Sequence, residues 1–332
     1  MELQALADRI REGNIRAIGK GITLIESRKP EHAERAGQLL DLLLPYSGNS
    51  LRIGITGVPG VGKSTFIEAF GSYLTSQGHK VAVLAVDPSS QITGGSILGD
   101  KTRMEELSRN PRAFIRPSPA GETLGGVARR TRETMLLCEA AGYDVVIVET
   151  VGVGQSETTV ASMVDFFMLL QLATAGDELQ GIKKGVMELA DAIIINKADI
   201  DRQKTELAKR QYENALHILR PKSRNWTVPV LTVSALQQEG VHEVWAMLNN
   251  FRAAMQVSGE LADTRRRQAV DWMWALLMDD LKQLFLDHPE IKRDFPQLQQ
   301  AVAQGITTPA AASKRLLDIF KREESVANVT QH

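Results

Sequence analysis

One cysteine, Cys138, stands in a chain of 332 residues. That excludes an intramolecular disulfide and any cysteine cluster for zinc or nickel, and it suits a reducing compartment. Its setting, Met135-Leu136-Leu137-Cys138, reads as core. Long apolar runs are missing too. The longest candidate, near Phe166–Ala175, falls short of the roughly 18–20 residues a membrane span needs and is interrupted by Gln171. Nor is there a surplus of charge: 39 Lys and Arg face 40 Asp and Glu, for a formal net charge of -1. This excludes the basic excess of a dedicated nucleic-acid binder. The short run Arg265-Arg266-Arg267 reads as a solvated helix face. The first residues mix Glu2, Asp8 and Glu12 with arginines, unlike a signal peptide or an acid-poor transit peptide. The expectation is a cytoplasmic protein with neither membrane nor nucleic acid as partner.

What is present is a globular composition, 43% hydrophobic and 24% charged. Three regions follow. Residues 1–50 read as a helical N-terminal extension: Leu3, Leu6 and Ile10 share one face, and Ile15, Ile18, Ile22 and Ile25 recur at spacings of three and four. Residues 51–254 alternate short apolar strands with helical segments. Leu51–Thr56, Val81–Val86, Asp144–Val148, Phe166–Leu172, Ala192–Ile195 and Val228–Val233 are rich in Val, Ile and Leu and lack polar alternation. Such strands are buried on both faces of a mostly parallel sheet, which predicts an α/β doubly wound domain of the P-loop NTPase class. Residues 255–332 read as a helical C-terminal arm, with a stripe through Val270, Met273, Trp274, Leu277, Leu281 and Leu284.

The first strand runs into Gly57-Val58-Pro59-Gly60-Val61-Gly62-Lys63-Ser64, which fits G-x4-G-K-(S/T), and Thr65 continues into a helix. Strand, glycine-rich loop and helix in that order form a phosphate cradle. Backbone N–H groups turn inward, the helix N-terminus adds positive potential, Lys63 reaches the β/γ-phosphates and Ser64 offers its hydroxyl to magnesium. A second strand ends in Glu149-Thr150-Val151-Gly152, where Glu149 can support magnesium and the Gly152 N–H can meet a γ-phosphate. Asp87 ends another strand, and Asp100 follows a Gly-rich segment; both are further acidic candidates, Asp100 equally readable as a helix N-cap. Val153 occupies the place where Ras-like GTPases carry a water-orienting glutamine, with Gln155 displaced, so intrinsic hydrolysis should be slow.

Asn196-Lys197-Ala198-Asp199 fits NKxD. Asp199 can accept hydrogen bonds from the guanine N1–H and exocyclic amine, which adenine does not offer in that arrangement. A site built so discriminates by about 10⁴ or more. Lys197 can lie along the base, and Asn196 can tie this loop to the phosphate loop. Ser234-Ala235-Leu236 resembles the loop whose backbone N–H meets the guanine carbonyl. An ATPase has no use for the last two elements. The residues therefore point to GTP and GDP as ligands, with magnesium.

The stretches Gly57–Thr65, Val86–Ser90, Gly94–Met104, Glu149–Glu157 and Gly176–Gly185 together resemble the MeaB/ArgK family, GTPase chaperones of adenosylcobalamin-dependent methylmalonyl-CoA mutase. The patterns E-T-V-G-V-G-Q-S-E and L-Q-G-I-K-K-G are more specific than the phosphate loop. The resemblance implies magnesium ligation by Ser64, Asp87, Asp100 and Glu149. It implies a mobile third switch at Asp177–Lys183, in which Asp177, Gln180 and Lys183 act in catalysis, and a homodimer built through the C-terminal helices. It also implies a mutase-type partner. The alternative is a kinase or ATPase serving arginine/ornithine transport, an older assignment for similar sequences that the guanine motif opposes. A nickel metallochaperone GTPase would need Cys/His motifs, and His79, His217 and His242 show no ligand spacing. A non-enzymatic nucleotide-binding module would fail a single-turnover assay.

Overall fold

A computed structural model of the chain describes residues 2–27, 29–86, 104–117, 124–150, 156–173, 184–219 and 221–329. The chain forms two compact units, Met1–Arg265 and Arg266–His332.

The first unit is built on a seven-stranded, wholly parallel sheet in the order β3-β2-β4-β1-β5-β6-β7. The strands are β1 (Leu51–Gly57), β2 (Val81–Val86), β3 (Ala113–Arg116), β4 (Val145–Thr150), β5 (Phe166–Leu172), β6 (Ala192–Asn196) and β7 (Val230–Thr232). Crossovers from β1 run outward to β2 and β3, β4 returns between β2 and β1, and later strands build the opposite edge. The strand order thus reverses beside β1, where open α/β sheets form their ligand crevice.

The helices of this unit are α1 (Glu2–Arg11), α2 (Ile15–Ile25), α3 (Pro30–Leu43), α4 (Lys63–Ser76), α5 (Glu105–Arg109), α6 (Leu124–Ala140), α7 (Ser156–Ala161), α8 (Lys184–Leu189), α9 (Arg202–Ile218) and α10 (Val241–Val257). On one face of the sheet, Phe66 and Phe70 of α4 and Leu248 and Phe251 of α10 pack against Ile53, Ile55, Ile147, Phe166 and Met168. The opposite face is covered by the N-terminal helices and α6, with Ile10, Ile18, Ile22, Leu39 and Leu137 against Val146, Val148 and Phe167. Beside it, Met187 of α8 and Tyr212 of α9 cover Leu169, Ile193 and Ile195.

The residues before β1 are thus part of the sheet unit's own core. Asn14 caps α2 by accepting from the Ala17 N–H at 3.0 Å, which fixes the helix start. Ile18, Ile22 and Ile25 are buried as the spacing implies, but Ile15, in the first turn, is exposed. Close packing also explains Gly54 in the middle of β1: a Cβ there would lie 2.8 Å from Phe167 and 2.9 Å from Val160.

Arg265 departs from the sequence reading. It is not on a solvated face. Its guanidinium grips Asp165 at 2.7 and 2.6 Å and donates to the Ser50 carbonyl at 2.6 Å and to the Gly48 carbonyl. A deeply buried carboxylate at the start of β5 needs a paired cation, and Arg265 supplies it.

The helix α11 (Glu260–Asp287) begins in the first unit and runs on through residue 287. In the second unit α12 (Pro289–Ala303) and α13 (Pro309–Val329) pack through Ile291, Leu316 and Ile319 with Phe285, Phe295 and Leu298. The stripe Val270, Met273, Trp274, Leu277, Leu281 and Leu284 is exposed along α11, between 42% and 60%. No helix among the described residues is long and apolar enough to cross a membrane.

Candidate functional site

Pairing brings the C-terminal ends of the central strands to one edge. Ile55 of β1 lies opposite Glu149 of β4, Val86 of β2 opposite Thr150, Gly57 of β1 opposite Leu170 of β5, and Leu172 opposite Asn196 of β6. The segments carrying the sequence motifs leave the sheet at these points.

The loop 57–62 needs its glycines for distinct reasons. A Cβ on Gly57 would sit 2.6 Å from the Leu170 carbonyl oxygen. Gly60 and Gly62 have φ of +79° and +91°, a left-handed conformation that side chains resist, and Gly62 is the residue from which α4 starts. A Cβ on Gly62 would also meet the Asn196 amide nitrogen at 2.8 Å. Val61 between them is fully buried and pins the loop to the core, with Val58 packed at its edge.

Lys63 folds back over the loop and donates to the Gly57 carbonyl at 2.8 Å and more weakly to the Val58 carbonyl at 3.5 Å. Burial pulls its ammonium below the ordinary lysine range, against the opposing pull of Glu149 and Glu157. A cation held on neutral carbonyls in a partly dry site is well placed to receive phosphate oxygens. Ser64 and Thr65 follow in the first turn of α4, at the positive end of the helix dipole. Glu149 is 4% exposed and, by strand alternation with Ile147, lies on the face covered by α4. It belongs to β4 itself rather than to a loop after it, because β4 pairs with β2 through Thr150.

The Ser64 hydroxyl and a buried carboxylate on the α4 side form a hard-oxygen pair. That suits magnesium, which takes one or two protein oxygens and fills the rest of its octahedron with water and phosphate oxygens. Asp87 and Asp100 lie outside the described residues, as do Gly152, Val153, Gln155, Asp177, Gln180 and Lys183. Among the described residues no group of three or more His, Cys, Asp or Glu gathers as a metal centre.

The base loop is locked to the phosphate loop. The Asn196 amide donates to the Val61 carbonyl at 2.9 Å and its Oδ1 accepts from the Ala235 N–H at 3.2 Å, so one buried side chain spans three segments. Lys197, with φ of +61°, lays its ammonium against the Gly60 carbonyl at 2.9 Å. Asp199 accepts from the Ser234 hydroxyl at 2.5 Å, which orients its carboxylate. Ser234 also closes a short turn, its N–H bonded to the Glu239 carbonyl at 3.0 Å, while Leu236 projects outward and is 80% exposed.

Sequence reading missed two features here. Glu157, second residue of α7, is buried and bears electrostatically on Lys63. Its only signal was an acid close behind Glu149. Thr150 donates its hydroxyl to that of Thr56 at 2.8 Å, joining β4 to β1 below the loops.

A family model described as methylmalonyl Co-A mutase-associated GTPase MeaB matches residues 18–290. The chain belongs to this family. Relatives agree along nearly the whole length. A putative GTPase of Caulobacter vibrioides is 54% identical over 96% of this chain and 98% of its own. The GTPase ArgK of Escherichia coli is 50% identical over 95% and 96%. The methylmalonic aciduria type A homolog, mitochondrial, of Mus musculus is 44% identical over 96% of this chain and 80% of its own. Among solved structures, that of a LAO/AO transport system kinase superposes with a TM-score of 0.77 at 44% identity, covering 96% of this chain and 97% of that one. As a MeaB-family GTPase the chain binds guanine nucleotide and hydrolyses GTP.

Proposed function

We propose that this GTPase is a magnesium-dependent chaperone of an adenosylcobalamin-dependent methylmalonyl-CoA mutase, gating cofactor loading and protecting the loaded enzyme. The observation that carries the nucleotide part is the Asn196 bridge, which holds the phosphate loop and the base loop at one spacing. Residues 57–65 cradle the phosphates, with Lys63 moving from the Gly57 carbonyl onto phosphate oxygens. Asp199, oriented by Ser234, accepts from the guanine edge, and the loop 234–236 flanks the base. Lys197 leaves the Gly60 carbonyl or stays on it as a strut along the ring. Ser64 and Glu149 hold magnesium, with Asp87 and Asp100; when bound, the ion neutralises charge on the phosphate oxygens. Gly152 contacts the γ-phosphate, and Asp177, Gln180 and Lys183 carry the third switch.

Support for the client comes from the family's description as mutase-associated and from the name of the Mus musculus relative. A homodimer through α11 fits its exposed apolar stripe, and a cytoplasmic setting fits a lone, buried cysteine. The 44%-identical solved structure is named for a transport system kinase, which favours a second reading, a kinase serving amino-acid transport. Competition of ATP against GTP decides between them, since Asp199 selects guanine. The client is tested by GTP turnover with and without the mutase. Acceleration is expected for the wild type and should be blunted in Lys183→Ala and Gln180→Ala. Unchanged turnover of the wild type would remove the mutase from the reading.

A further inference from the structure

The sheet is stitched unevenly at the end that carries the site. β1 stays paired with β5 as far as Gly57 opposite Leu170, and β4 with β2 as far as Thr150 opposite Val86. Between β1 and β4 the described ladder ends earlier, at Ile55 opposite Glu149. This seam lies at the reversal of strand order, with the phosphate loop leaving from β1 on one side and Glu149 carried by β4 on the other. Just past the last paired residues, Thr150 donates its hydroxyl to that of Thr56 at 2.8 Å.

Both threonines are buried, at 0% and 2% exposure. Strand alternation with Ile55 and Ile147 turns them away from α4. That face is apolar around them, with Val148, Phe167 and Val160 of α7 in one cluster. Packing alone would be met by valine, which has the same branched shape and suits strands equally. Nor does stability require the hydroxyls. A buried hydrogen-bonded pair replaced on both sides by apolar groups of the same shape is close to neutral. What the pair adds is geometry: it fixes the spacing of two strands just beyond their backbone ladder.

Each strand hands that spacing on to a group of the site. Thr56 precedes Gly57, whose carbonyl holds the Lys63 ammonium at 2.8 Å, and Ser64 follows in the first turn of α4. Thr150 follows Glu149, a buried carboxylate on the α4 side whose charge bears on Lys63. Magnesium demands near-octahedral geometry, and groups behind its ligands keep them in place. We infer that the Thr56–Thr150 hydroxyl pair is a positioning element of the magnesium site, setting Glu149 on β4 against Ser64 across the seam between β1 and β4. The threonines act through their neighbours and touch neither metal nor nucleotide. The inference rests on the reading of Ser64 and Glu149 as magnesium ligands.

The test compares wild type with the double variant Thr56→Val/Thr150→Val and with Thr150→Ser, which keeps the hydroxyl. Three quantities are measured besides GTP turnover: melting temperature, GDP affinity in EDTA, and affinity of the GDP complex for Mn²⁺, read by electron paramagnetic resonance. The double variant should melt close to wild type and bind GDP in EDTA as before, while Mn²⁺ binds about tenfold more weakly. The magnesium needed for half-maximal turnover should rise by the same factor. Thr150→Ser should keep the wild-type metal affinity. Wild-type metal affinity in the double variant overturns the inference, as does an equal loss in Thr150→Ser. A joint fall of stability, metal-free GDP affinity and metal affinity, or a double variant that does not fold, also overturns it, because the pair then serves the fold. If the wild-type GDP complex binds no divalent ion, the magnesium reading itself fails. If it binds the ion and the variants bind it equally well, only the role of the threonines fails.

Discussion

The two ends of the same parallel sheet treat charge in opposite ways. At the N-terminal end the buried carboxylates Asp165, Glu139 and Asp191 each have a paired cation. Arg265 pairs with Asp165, whose side chain is fully buried and also accepts from the Arg52 N–H at 2.9 Å. Arg52 in turn grips Glu139 at 2.7 and 2.9 Å, and Glu139 accepts from the Gly48 N–H at 2.8 Å and from the Ser50 hydroxyl. The linker before β1, the start of β1, the end of α6, the start of β5 and the start of α11 are thereby knotted together. At the C-terminal end the Lys63 ammonium rests on neutral carbonyls and burial lowers its pKa, and the Gln171 side-chain oxygen has no partner among the described residues. Ion pairs made within the chain hold the fold at one end, whereas at the other a cation rests on neutral carbonyls that phosphate oxygens can replace.

The sharpest way to break this contrast is Lys63→Ala. If the ammonium serves phosphate and not the fold, GTP turnover should fall on the order of 10⁴-fold, since charge neutralisation at the transferring phosphoryl group carries effects of that size. Thermal stability should hold or rise slightly, because a desolvated cation is removed. A folded variant that turns over GTP at the wild-type rate would dissolve the distinction. At the opposite end, Arg265→Ala should cost about 3–5 kcal/mol in denaturant titration, since it strands a buried carboxylate. Nucleotide affinity of the folded fraction should not change. A small loss of stability there would show that Asp165 does not depend on its partner.

Next in size is Asp199→Asn, which should weaken GTP by about a hundredfold and favour xanthine nucleotide, because an amide can donate to the 2-carbonyl. Competition binding with the two nucleotides reads the change directly, and retained guanine preference would move base selection elsewhere.

The smallest effect concerns pH. Burial pushes the Glu139 carboxyl up, but hydrogen bonds and charge from Arg52, with help from Ser50 and Gly48, outweigh it, and the net shift is downward from 4.5. A depressed carboxylate contributes stability above its unfolded value and loses it as the pH falls through the lower folded value. Unfolding free energy measured from pH 6 downward should therefore drop below about pH 4.5, by about 1–2 kcal/mol more in wild type than in Glu139→Gln. Parallel pH profiles would deny the pairing its energetic role.

Much of the fold was legible because burial on both faces leaves a plain mark. Six of the seven strands announce themselves as runs of Val, Ile and Leu between polar helices. The third, Ala113–Arg116, does not: it is four residues long, alternates buried and half-buried positions, and follows Asn110-Pro111-Arg112. An edge strand needs a partner to exist, and its pairing with β2 lies far off in sequence. The end of β4 was read short for the same reason, whereas the last strand, read as Val228–Val233, is only Val230–Thr232. Nothing local distinguishes Glu149 and Thr150 from a loop, and their ladder with Ile55, Ala85 and Val86 makes them strand.

Motif chemistry is local, so the sequence by itself determined the phosphate loop, the NKxD segment and the family. The glycines, Lys63 and Asp199 owe their roles to backbone conformation and functional groups close together in the chain. The tertiary structure alone decided the long-range pairings. Arg265 looked like one of three solvated arginines until Asp165, a hundred residues away, claimed it. Asn196 was read as a tie to the phosphate loop, and packing added its second partner, the Ala235 N–H of a separate loop. Gln171 looked like an interruption in an apolar run, and burial leaves its oxygen without a partner among the described residues. Whether a polar group is satisfied depends on which distant atoms reach it, and that is settled by packing.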